Sequence, residues 1–171
     1  MRKVKRFLIR REPEQLWLRH EFRLLGMKEL EDFVIQFEVT TGDRRLTPVR
    51  YDAKHDYIHR DIIDRDGSNV EKEEICASGL EEAVKACIDD LAKNWVSHLK
   101  KGGYDDLLTT LTSLPIDKME VAKQFMVDLI RHPEKIDETP NVVDLTLKPE
   151  ISTFTNSLKV THVKGESGIK N

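Results

Sequence analysis

Gln15–Leu25 (QLWLRHEFRLL) and Glu31–Thr40 (EDFVIQFEVT) alternate apolar and polar residues along most of their length. In the first segment Leu18, His20, Phe22 and Leu24 share one side, and Arg19, Glu21 and Arg23 the other. In the second, Phe33, Ile35, Phe37 and Val39 fall together. A period of two marks a strand with one buried face. Gly26-Met27-Lys28-Glu29 joins the two as a hairpin-like turn. The chain therefore opens as an antiparallel sheet.

Working outward, Thr41-Gly42-Asp43 turns the chain again. Residues 46–53 read as a third strand with Val49 and Tyr51 inward, and Pro48 predicts an edge position because proline cannot donate to a ladder. Residues 57–64 suggest a fourth strand. Asp66-Gly67-Ser68-Asn69 is a strong turn signal. Glu71 to Cys76 supplies a short fifth strand.

The period then lengthens. Leu80, Val84, Cys87, Leu91, Trp95 and Leu99 recur at helical spacing, while Glu81, Glu82, Lys85, Asp89, Asp90 and Lys93 take the other side. Ser78-Gly79-Leu80-Glu81 reads as a capping box, and Gly102-Gly103 as the stop. The helix, of about six turns, is expected to lie across the sheet with Trp95 as an anchor. The resulting class is α+β: an antiparallel sheet of about five strands backed by one long helix, over residues 1–101. Residues 104–133 read as a short helical hairpin, Tyr104–Leu114 and Ile116–Arg131, ended by His132-Pro133. That hairpin is too short to fold alone, so it docks on the first domain or on a partner. Residues 134–171 form an extended or partly disordered tail, with strand-like runs NVVDLTLK (141–148) and LKVTHV (158–163).

Charge excludes some functions and locates others. Charged residues make up 35% against 39% hydrophobic, which sets a modest core under a heavily charged surface. The net charge of −3 gives no global attraction to nucleic acid. Residues 1–103 carry twenty Lys/Arg and twenty Asp/Glu, so the net charge arises beyond them. No apolar run is long enough to span a membrane, and Phe7-Leu8-Ile9 is too short for a signal-peptide core. The two cysteines, Cys76 and Cys87, read as reduced thiols. The expected location is the cytoplasm.

One stretch gathers the reactive residue types: Tyr51-Asp52-Ala53-Lys54-His55-Asp56-Tyr57-Ile58-His59-Arg60-Asp61. His55 and His59 are four apart, as in helical zinc motifs, but the context here is strand, turn and strand, and Asp56 stands where such motifs place glutamate. In a hairpin, Asp52, His55, His59 and Asp61 can converge from two strands. The two imidazoles then serve as acid and base, oriented by Asp52 or Asp61. Arg50 and Arg60, with Tyr51, are expected to bind an anionic group such as phosphate. No cofactor motif occurs. A divalent metal on the same four side chains is a further reading, and a polar hairpin held by arginine–aspartate pairs is the bland one.

His20, on an apolar strand face, is either a core histidine or a third member of that cluster. The arm Arg2, Lys3, Lys5, Arg6, Arg10, Arg11 holds six cations and no acid. It reads either as a nucleic-acid contact or as a first edge strand with a solvated face.

The run R-Y-D-x-x-H-x-x-x-H-R-D at residues 50–61, preceded by hydrophobic strands and followed by a helix ending near Trp95, resembles small uncharacterised prokaryotic domains related to TumE-like toxins of toxin–antitoxin systems. FLIRREPEQLWLRHEF at residues 7–22 looks like the start of such domains. The resemblance covers about residues 5–100 and implies Arg50, Tyr51, Asp52, His55, His59 and Asp61 as the residues of interest. A glycine often follows the first histidine of such motifs, where Asp56 stands here. The first expectation is a toxin-like domain that binds or cleaves RNA. The alternative is a non-enzymatic interaction module, with a protein partner or a second copy bound through residues 104–171.

Overall fold

A computed structural model of the protein describes residues 1–26, 29–54 and 57–147. Six strands come first: β1 (Arg2–Arg10), β2 (Gln15–Leu25), β3 (Glu29–Thr41), β4 (Arg44–Asp52), β5 (His59–Ile63) and β6 (Asn69–Glu74). The long helix α1 (Leu80–Lys101) follows, then a single turn α2 (Leu107–Thr110), helix α3 (Ile116–Arg131), a 3-10 turn at Pro133–Lys135 and a short strand β7 (Val142–Asp144). The strands form one sheet in the order β6-β5-β4-β3-β2-β1-β7. Neighbours are antiparallel except β1 and β7, which run parallel.

The α+β class holds, but the sheet has seven strands rather than about five. The two extra strands lay in the basic arm and in the tail. The basic arm takes its strand reading as β1, but not as a solvated edge, since Lys5, Phe7 and Ile9 all point inward and are buried and β7 pairs with part of its outer side. β7 lies within the strand-like run 141–148 of the tail and is shorter than that run. Pro48 does not mark an edge, because β4 lies between β3 and β5. It sits where the β3–β4 register slips between Phe37 and Val39, a bulge that tolerates a missing donor.

All three helices pack on one side of the sheet. Phe7, Leu18, Phe33, Ile35, Phe37, Val49 and Ile62 meet Val84, Cys87, Ile88 and Leu91 of α1 and Met119, Ala122 and Phe125 of α3 in one core. The expected helix over Tyr104–Leu114 is reduced to the turn α2. The second helix of the hairpin docks on the first domain: Phe125 meets Phe7 at 5.8 Å, Lys123 pairs with Asp89 at 2.9 Å, and Arg131 pairs with Glu81. The capping box is not formed. Gly79, at φ 92, occupies the cap position without a side-chain bond, and Glu81 turns instead to Lys85 and Arg131. Trp95 is partly buried against the core as expected. No helix among the described residues is long and apolar enough to cross a membrane. Lys148–Asn171, including the run 158–163, lie outside the described residues, as do Met27, Lys28, His55 and Asp56.

Candidate functional site on the open face of the sheet

β4 and β5 pair in the register Arg50↔Asp61, Tyr51↔Arg60 and Asp52↔His59. Side chains of a strand alternate between faces. The stretch singled out in the sequence is therefore divided into two clusters on opposite sides of the sheet.

Arg50, Asp52, His59 and Asp61 stand together on the face away from the helices. Arg50 Nη2 donates to Asp52 Oδ2 at 2.7 Å. His59 Nε2 lies 3.4 Å from Asp61 Oδ2, and Asn69 Nδ2 donates to Asp61 Oδ1 at 2.7 Å. The Tyr57 ring stacks on the His59 ring with centroids 5.3 Å apart. Asp52, His59 and Asp61 are each at most 9% exposed although no described helix covers this face. Arg50 Nε and His59 Nδ1 are buried without a hydrogen-bond partner among the described residues. Arg50 Nε is a donor that an anion reaches only when neighbouring side chains move, and whether His59 Nδ1 donates or accepts depends on its tautomer. His55, the expected second imidazole, lies outside the described residues, so the metal reading that needs it also does. Among the described residues no three His, Cys, Asp or Glu side chains converge as a metal site.

Tyr51 and Arg60 point the other way, under α1. Asp90 accepts from Tyr51 Oη at 2.8 Å, Arg60 Nη1 at 3.1 Å and Asn94 Nδ2 at 2.9 Å, and lies 2.9 Å from His98 Nε2. Arg60 also reaches Glu71 and Glu73, and Lys101 pairs with Glu71. Burial opposes ionisation of Asp90, but the bonds from His98, Tyr51 and Asn94 outweigh it and hold its pKa below the carboxylate range. Burial and the adjacent Asp90 together push the Tyr51 phenol well up. Two of the three side chains expected to bind substrate, Tyr51 and Arg60, are thus committed to a structural knot. Asp90 also corrects the sequence reading, which placed it on the polar side of α1. The signal was present in Asp90, Asn94 and His98, spaced by four on one helix stripe.

Elsewhere the open face is a lattice of ion pairs: Arg6–Glu38, Arg19–Glu21 and Arg23–Asp32 at 2.8–3.0 Å. Arg6 also lies over the Trp17 ring at 4.2 Å. Every cation of the basic arm has an internal partner. Arg2 meets Glu21, Lys3 meets Asp137, and Lys5 reaches the Thr139 carbonyl and Asn141. Arg10 bonds the Ser113 carbonyl and Arg11 pairs with Asp144. His20 is a core histidine, fully buried between Phe22 and Phe33, with β3 separating its strand from β4. Burial drives its pKa down to about 3.

A family model for a domain of unknown function, DUF7718, matches residues 1–102. The chain belongs to that family. No curated protein and no solved structure matches it. The DUF7718 segment holds strands β1 to β6 and helix α1, and so both clusters of the β4–β5 hairpin. Helix α3 and strand β7 lie beyond it.

Proposed function

We propose that this is a toxin-like, RNA-handling domain whose working surface is the open face of the β4–β5 hairpin. The observation that supports it is the paired register Arg50↔Asp61 and Asp52↔His59, which sets a guanidinium, an imidazole and two carboxylates side by side on a face free of described helices. Arg50 can shift its pairing from Asp52 to a phosphate, using its unpartnered Nε. His59, its ring held by Asp61 and Tyr57, sits beside that phosphate. In RNA cleavage one imidazole takes the 2′-hydroxyl proton as that oxygen attacks phosphorus. A second group returns a proton to the departing 5′-oxygen. His59 takes the first role in this reading and His55 the second. Asp52 and Asp61 orient them.

The test is a fluorogenic RNA oligonucleotide incubated with purified protein. His59→Ala and Arg50→Ala should each lower the cleavage rate by about a hundredfold or more while melting temperature stays nearly constant. Tyr51→Phe should leave the rate unchanged, since Tyr51 serves Asp90. RNA left intact after long incubation, with and without divalent cation, overturns the reading.

A further inference from the structure

Among the described residues, the outer edge of β1 is only half covered. β7 pairs with Arg6, Phe7 and Leu8 and no further. The Arg6 amide donates to the Asn141 carbonyl, and the Leu8 carbonyl accepts from Leu145, so even-numbered residues of β1 turn their backbone groups outward. Met1 exchanges bonds with Leu24 on the opposite side, so odd-numbered residues face β2. Period two then assigns the N–H and C=O groups of Arg2 and Val4 to the outer edge, where no described strand meets them. A cleft of about 470 Å³ lies there, lined by Arg2, Lys3, Val4, Lys5, Arg6, Asp137, Asn141 and Val142.

The cleft has a built wall. Lys5 Nζ donates to the Thr139 carbonyl at 2.6 Å and to Asn141 Oδ1 at 3.0 Å, and Lys3 pairs with Asp137 at 2.8 Å. These bonds hold residues 137–140 beside the edge, and the first backbone bond to it comes only at Asn141, to Arg6. The slot runs over four residues of β1, about 13 Å of strand. Its lining has four cations against one carboxylate; Lys3, Lys5 and Arg6 are held by close internal partners, and Arg2, 67% exposed and 3.4 Å from Glu21, is the least committed.

We propose that this edge accepts an acidic, extended peptide segment of a partner protein, which adds to the sheet in line with β7. Strand addition satisfies the unpaired backbone groups, and glutamate or aspartate side chains of the incoming strand meet Arg2, Lys3 and Arg6. Charge argues against the other occupants. A second copy would bring the same cations against each other. The segment 148–171 carries four lysines and two glutamates, the same sign as the edge.

The test uses the full chain and a fluorescein-labelled eight-residue peptide of alternating glutamate and valine. Expected are saturable anisotropy and NMR shifts at the amides of Arg2 and Val4. Binding should fall tenfold or more for the same peptide N-methylated at two adjacent residues, and for the R2E/K3E protein, whose fold is checked by circular dichroism. Arg50→Ala should leave peptide binding unchanged, which separates this edge from the RNA-handling face. No binding, or binding insensitive to N-methylation, overturns the proposal. So does an oligouridylate that shifts the same amides when the peptide does not, or a dimer by sedimentation through this edge.

Discussion

The two faces of the β4–β5 hairpin take the same residue types from one short stretch and put them to different use. Under α1, four donors converge on Asp90, Arg60 is 5% exposed, and the knot is sealed by a helix. On the open side, among the described residues, Arg50 has one carboxylate partner and is 38% exposed, and His59 has one ring nitrogen without a hydrogen-bond partner. The difference teaches that a dense cluster of reactive residues in sequence is not one site. Strand alternation separates it, and what covers each half decides whether it stabilises or stays available.

The comparison breaks most visibly at Asp90. Asp90→Ala leaves Arg60 with only its rim carboxylates and strands Tyr51 and His98. The expected loss is about 3–5 kcal/mol of unfolding free energy, read by denaturant titration. A loss below about 1 kcal/mol would remove the contrast between the faces.

The covered face should also carry an acid signature. His20 has a folded pKa of about 3, below its unfolded value, so its neutral form is favoured by folding. The unfolded chain binds this proton first as pH falls. The contribution is fully present above about pH 6.5 and is lost below it at roughly 1.4 kcal/mol per pH unit. Between pH 7 and 4.5 that amounts to about 3 kcal/mol, and His20→Leu should flatten the fall by that amount. Parallel curves for the two proteins would show that His20 does not set it.

The smallest effect belongs to the open face. Arg50→Ala breaks a half-exposed pair and should cost about 1 kcal/mol, measured in the same titration. A cost equal to that of Asp90→Ala would mark the quartet as structural rather than available.

The strongly alternating strands β2 and β3 and the helix α1 were legible in the sequence because one apolar face dictates their period. β1 was offered as a strand, but its buried face was obscured, since the aliphatic stem of Lys5 is buried like a hydrophobe while its ammonium is satisfied by residues 139 and 141, far along the chain. Pro48 misled because a bulge answers a missing donor as well as an edge does. The position of the candidate site was readable from residue types alone. Its division was latent in the same alternation, which already set Tyr51 inward. Asp90 was hidden because a carboxylate on a helix is ordinarily solvated, and only the arrival of Tyr51 and Arg60 from two strands makes a buried place for it.

The pairing of Arg6–Leu8 with Val142–Asp144 has a consequence in time. The β2–β3 hairpin can close locally, but β7 must return across more than 130 residues, a loop closure costing about 4 kcal/mol in chain entropy. Three residues of ladder repay little of that, and burial of Val143 and Leu145 in the core supplies the rest. Were β7 to open, the stretch of β1 edge unpaired by described residues would lengthen from Arg2–Lys5 to Arg2–Leu8. The readiness of the sheet to accept another strand therefore depends on how firmly those two side chains hold β7 in place.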